Sequence, residues 1–194
     1  MLAGNRRMRR KAVCPRVRSL APQTVAVSGE RALTSKKTYR CEDQDQSVWF
    51  LLEQTRNAIF KARAVELEQY GISPVQAGVM FVIHTLGGTS RPAEIARWLV
   101  REPHSISGLL TRMERDGLLR RESDSERKNA VAIVLTDKGR DICNKTFRRE
   151  SVKQVFSGLS NEEREQLQYS LIKLRDRALK DRGVRNTPPF PTAD

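Results

Sequence analysis

Apolar residues recur at helical spacing between Gln46 and Tyr70, at Val48, Leu51, Leu52, Thr55, Ile59, Ala62 and Leu67, and Gly71 supplies the stop. This predicts one long helix. Ser73-Pro74-Val75-Gln76 then presents a capping serine, a proline at the first helical position and a glutamine placed to reach back to the cap, which opens a helix through Leu86. Gly87-Gly88 ends it. Pro92 starts a short helix whose Ile95, Ala96 and Leu99 face inward, and Pro103 starts another after a connection of about three residues. In that next helix, PHSISGLLTRMERD, Ile106, Leu109, Leu110 and Met113 form a single apolar stripe. Two helices joined so tightly, the second polar on its outer side, have the helix-turn-helix pattern.

Asp116-Gly117 stops the second helix, and the period changes from helical to alternating. LLRRES and AVAIVLT read as two strands around the charged connection DSERKN, a hairpin. After Thr136, an N-cap, a single helix is expected, marked by Ile142, Thr146, Val152, Val155 and Phe156 and broken at Ser157-Gly158. Ser160 and Glu163 form a second capping box, and Leu167, Leu171, Leu174 and Ala178 repeat as a seam. The expected fold is therefore mainly α with a small β-hairpin wing, a winged helix-turn-helix flanked by N- and C-terminal helices. Those flanking stripes exceed what one winged-helix core can cover, which predicts burial against a second copy, a homodimer.

The outer face of the 103–116 helix carries the candidate chemistry. His104, Ser105, Ser107, Gly108, Thr111 and Arg112 combine short polar groups, low relief and a guanidinium, the equipment for entering a major groove about 12 Å wide. Arg112 is the first candidate for a forked contact with guanine or phosphate, and His104 is a weaker base reader. Arg91 and Arg97 could hold flanking phosphates, and Arg127 and Lys128 at the hairpin tip could reach the adjacent backbone or minor groove. Plainer roles compete. Arg112 could pair with Glu114 or Asp116, His104 could be exposed without a role, and Trp98 and His84 read as core packing.

Net charge of +13 suits a polyanionic partner, yet residues 1–40 hold eleven Lys or Arg against one acid. The rest of the chain must then place its cations selectively. Residues 1–45 read as a disordered basic arm or a start placed too far upstream, with a composition resembling a transit peptide, and the proline-rich 183–194 as a disordered tail. Cys14, Cys41 and Cys143 have neither disulfide-framework nor zinc spacing; Cys143 reads as a small buried hydrophobe. No apolar run is long enough for a membrane span, so a cytoplasmic location with no membrane partner is expected. Catalytic, metal-binding and cofactor motifs are missing, so neither an enzyme nor a cofactor is expected.

"ISPVQAGVM", "RPAEIARWL", "SISGLLTRMERDGLLRRESD" and "VAIVLTDKG", in that order behind a long helix, resemble the MarR family of bacterial transcriptional regulators over residues 46–180. The resemblance implies a homodimer joined through its first and last helices (46–70 and 138–182), with a DNA-binding winged helix at 73–136. It implies double-stranded DNA as partner, a pseudo-palindromic operator, and repression that a small ligand or oxidant often relieves. Two departures stand out. The family's wing Asp and Arg, one residue apart, are replaced by Arg127 and Asn129, with Glu126 and Lys128 one place over; and Trp49 stands before Phe50-Leu51-Leu52, where the peroxide-sensing branch has its cysteine. The competing expectation is a winged helix that docks protein or RNA, with the basic arm supplying affinity.

Overall fold

A computed structural model describes residues 43–123, 131–184 and 188. In chain order it contains α1 (Gln44–Glu68), α2 (Pro74–Thr85), β1 (Thr89–Ser90), α3 (Pro92–Trp98), α4 (Pro103–Arg115), β2 (Leu119–Ser123), β3 (Val131–Leu135), α5 (Asp137–Thr146), α6 (Glu150–Phe156) and α7 (Asn161–Asp181). Two structural units divide at Thr55, within α1. In the first, the Asp43 carboxylate accepts from the Asp45 and Gln46 amides, and Val48, Trp49, Phe50, Leu51 and Leu52 are all exposed.

The second unit holds the core. Both predicted capping boxes are formed, Ser73 with Gln76 on α2 and Ser160 with Glu163 on α7. The stripe on α4 is buried: Ile106, Leu110 and Met113 are completely covered and Leu109 nearly so, in one core cluster with Val79, Met80 and Ile83 of α2 and Ile95 of α3. The wing gains a strand that its sequence does not announce. β1 pairs antiparallel with β3 (Thr89 opposite Val134), giving the order β1-β3-β2, and Leu119 of β2 lies opposite Leu135.

Leu135-Thr136-Asp137-Lys138-Gly139 joins wing to helix by a close backbone approach. Thr136 Oγ1 donates to the Gly117 carbonyl at 2.7 Å and accepts from the Gly139 amide at 3.0 Å, while Lys138 Nζ donates to the Asp116 carbonyl at 2.9 Å. A Cβ on Gly139 would sit 1.9 Å from the Leu118 carbonyl oxygen, so only glycine fits.

Expectation and structure differ beyond that point. In place of one helix from Thr136 to Phe156, α5 ends at Thr146 and α6 starts at Glu150, with Arg149 left-handed at φ 48°. The cause is tertiary. Glu66 of α1 accepts from the Glu150 and Ser151 amides (both 3.1 Å) and from the Ser151 hydroxyl, so its carboxylate caps α6 from outside the segment. Arg63 ties the same corner together, 2.6 Å from Glu66 and donating to the Thr146 carbonyl at 2.7 Å. Burial opposes ionisation of Glu66, but Arg63 and the Ser151 hydrogen bonds outweigh it and lower its pKa to about 2.

Two outcomes follow for stability. Gly139→Ala should lower the unfolding free energy by about 3 kcal/mol in denaturant titration, because the clash is with backbone and no side chain can swing away. Glu66→Gln should cost about 2 kcal/mol at pH 7. A carboxyl depressed from 4.5 to about 2 stabilises the fold fully above pH 4.5 and loses that contribution as pH falls towards 2. Melting curves of wild type and Glu66→Gln should therefore converge over that window.

Candidate nucleic-acid interface

The turn between α3 and α4 spans residues 99–102 and is built without glycine. The Val100 amide donates to the Arg97 carbonyl (3.2 Å) and the Arg101 amide to the Ala96 carbonyl (2.9 Å), the paired bonds of a Schellman cap, with Val100 taking the left-handed position at φ 50°. A β-branched residue there is strained. Pro103 then starts α4 at once.

With Ile106, Leu109, Leu110 and Met113 inside, α4 turns His104, Ser105, Ser107, Gly108, Thr111, Arg112 and Arg115 to solvent. A Cβ built on Gly108 meets nothing within 4 Å, so no packing inside the protein requires glycine at this position. The carboxylates near Arg112 are taken by other cations: Arg121 of β2 donates to Glu114 at 2.7 Å, and Asp116 lies 3.6 Å from Arg115. Arg112 has no ion pair or hydrogen bond among the described residues, so the alternative of a partner in Glu114 or Asp116 is not what the structure contains. Thr111 is less available, donating to the Ser107 carbonyl at 3.1 Å and accepting from Arg121 at 3.1 Å.

Around the start of α4 lies a hollow of about 460 Å³ that brings Arg101, His104, Ser105 and Arg112 together with Ser73 at the start of α2. Arg101 was not singled out in the sequence. Its signal was its place two residues before the proline that opens the helix. Arg97 is exposed and 3.8 Å from Glu94, and Arg91, half-buried, precedes α3 and is engaged within the protein. Arg127 and Lys128 lie outside the described residues. Trp98 packs against the core as expected; His84 does not, being exposed with its ring 4.6 Å from Phe147.

A second cleft, about 200 Å³, opens between α1, α2 and α5. Arg149 lies 5.2 Å from the Phe81 ring centre and 5.9 Å from that of Phe147, and Arg63 and Cys143 complete the lining. Burial pushes the Cys143 thiol up to about 11, which keeps it protonated at neutral pH. No single stretch of sequence displays this grouping of cations and aromatic rings, which the fold assembles from separate helices.

Residues 70–128, from the end of α1 through the helix-turn-helix into the wing, match the model of the MarR family. Over that stretch the chain is similar to the MarR family. It is 28% identical over 153 residues to HTH-type transcriptional regulator TtmR of Methylorubrum extorquens (strain PA1), covering 78% of each chain. Identity to HTH-type transcriptional regulator YkoM of Bacillus subtilis (strain 168) is 29% over 102 residues, 52% of this chain and 66% of that one, just under two thirds of its length. The organohalide-sensing transcriptional regulator RdhR-CbdbA1625, solved with 2,4-dichlorophenol bound, has a TM-score of 0.70 at 29% identity, covering 78% of this chain and 92% of that one. A mutant MarR from E. coli complexed with operator DNA shares the fold, with a TM-score of 0.61 at 19% identity over 69% of this chain and 99% of that one.

The chain carries its helix-turn-helix on α3 and α4 and its wing on β2 and β3. Among the described residues no helix is long and apolar enough to cross a membrane, and no group of acidic, histidine or cysteine side chains could hold a metal ion.

Gly108→Ala separates packing from recognition. Because the added methyl has open space and alanine favours helix, we expect a stability gain of about 0.5 to 1 kcal/mol in thermal unfolding.

Proposed function

We propose that this chain is a MarR-family regulator that binds a pseudo-palindromic operator in double-stranded DNA as a homodimer, presenting α4 of each copy to successive major grooves, and acts as a ligand-responsive repressor. The outward face of α4 carries the reading. Its guanidinium at Arg112 is uncommitted, its small residues leave low relief at Ser105, Ser107 and Gly108, and the helix start adds partial positive charge for phosphate. Ser105 and Arg112 address base edges, with His104 beside them. Arg97, Arg127 and Lys128 hold phosphates, and Arg101 joins them from the turn.

Homodimerisation is supported by apolar side chains left in water. Val48, Trp49, Phe50 and Leu51 on α1 are about half exposed or more, and so is Leu174 on α7, where Leu167 and Leu171 follow at 38%. A second copy covers such stripes economically. Two-fold symmetry then sets the half-sites about one helical turn, roughly 10 base pairs, apart. For the effector, the α1–α2–α5 cleft offers apolar rings beside two guanidiniums, suited to a small aromatic anion. RdhR-CbdbA1625, a structural relative, holds a chlorinated phenol.

Gel shifts on a selected operator and on random duplex test the reading. Arg112→Ala should weaken operator binding by about 1 to 3 kcal/mol and relax base preference, whereas Lys128→Ala should weaken both duplexes alike and reduce the salt slope by about one. Deleting residues 1–40 should leave the preference for operator intact. Loss of nearly all binding on that deletion, with Arg112→Ala indistinguishable from wild type, would assign affinity to the arm and overturn the proposal.

A further inference from the structure

A third hollow, about 460 Å³, lies on the side of the helix-turn-helix facing the end of α7. Its apolar surface comes from Ala96 of α3, Val100 of the turn, Leu179 of α7 and Val184 just after it. Among the described residues no aromatic side chain lines it, in contrast to the Phe81–Phe147 cleft. The α7 terminus is fixed beside it by a Schellman cap, the Gly183 amide donating to Lys180 (2.9 Å) and the Val184 amide to Leu179 (3.0 Å).

Charge around this hollow is one-sided. Among the described residues, Arg97, Arg101 and Arg182 border it with a single carboxylate, Glu102. Glu102 is already paired with Arg182 at 3.1 Å, so it cannot also serve the others fully. Arg97 has only a loose partner in Glu94 at 3.8 Å, and Arg101 has no ion pair or side-chain hydrogen bond among the described residues. An aliphatic chamber of this volume with surplus guanidinium at its edge is complementary to an amphipathic monoanion: an apolar chain for the floor and a carboxylate for a forked bond.

We infer that the hollow between the α3–α4 turn and the end of α7 is a second ligand site, taking a medium-chain aliphatic carboxylate whose head group is held by Arg101. Arg101 borders this hollow and also the one beside His104, Ser105 and Arg112 on the outer face of α4. The same guanidinium therefore serves the ligand or a DNA phosphate, but not both. The carboxylate antagonises DNA binding by that competition, a consequence resting on the DNA-binding reading above. Occupancy itself does not rest on it.

Isothermal titration calorimetry of the full chain with sodium decanoate, without DNA, tests occupancy. We expect one site per chain, at least about tenfold weaker binding to Arg101→Ala, and similarly weakened binding of uncharged decanol to wild type. Ala93→Trp, which places an indole in the hollow from the exposed side of α3, should abolish decanoate binding, while Arg149→Ala in the aromatic cleft should leave it unchanged. No binding by wild type overturns the inference. So does binding that survives both Arg101→Ala and Ala93→Trp, or that is lost only in Arg149→Ala. Should Ala93→Trp fail to fold by circular dichroism, Arg101→Ala and decanol still decide. In a separate gel shift, decanoate should weaken operator binding by wild type and have little effect on what remains with Arg101→Ala. Failure there with decanoate bound in calorimetry would refute the competition and leave the site standing.

Discussion

The contact between Gly139 and the Leu118 carbonyl fixes the direction of the outward face of α4. At that point the end of α4, the first residues of β2, the last of β3 and the start of α5 all converge. Thr136 uses one hydroxyl twice, donating to Gly117 and accepting from Gly139. The bond to Gly117 satisfies a carbonyl just beyond α4, and the bond from Gly139 satisfies an amide in the first turn of α5. A helix held only by its apolar stripe could roll about its axis by small repacking of leucines. A backbone-to-backbone approach at its end leaves far less freedom, so the angular position of Ser105 and Arg112 is inherited from Thr136 and Gly139.

Much of the fold was legible because it is encoded locally. Pro74, Pro92 and Pro103 start helices, Ser73 and Ser160 cap them, and Gly117 ends α4 at φ 72°, all within a few residues of the feature they determine. What escaped the sequence is what distant residues impose. The α5–α6 break depends on Glu66, more than eighty positions away, and it is made by an arginine in a conformation for which glycine is the usual signal. β1 is two residues long and has no period to read. His84 continues an apolar run yet sits where α2 is ending, with one side against Phe147 and the other in water.

The candidate interface divides the same way. Which residues of α4 point outward follows from the 3.6-residue period, and the sequence names them correctly as a face. Which of them is free to act does not follow. Thr111 looks like Ser105 and Ser107 in sequence, but Arg121 from the wing occupies its hydroxyl. Arg101, in a turn with no periodicity, is drawn into the same hollow as Arg112 only through the left-handed step at Val100.

The charge beyond residue 40 is sorted more than it is large. Beyond residue 40 cations exceed acids by only three, so a positive face requires that its nearby carboxylates be engaged elsewhere. Glu114 turns to Arg121 and Glu102 to Arg182, each partner reaching in from a different element. Exposed pairs of this kind contribute little to stability, typically well under 1 kcal/mol in water. Their effect is on the field: each neutralises an acid on or beside α4 with a cation that is not on α4, leaving Arg101, Arg112 and the helix start with little local opposition. An interface can thus be made cationic without a high net charge, and the sequence hides it because the neutralising partners come from the wing and from the last helix.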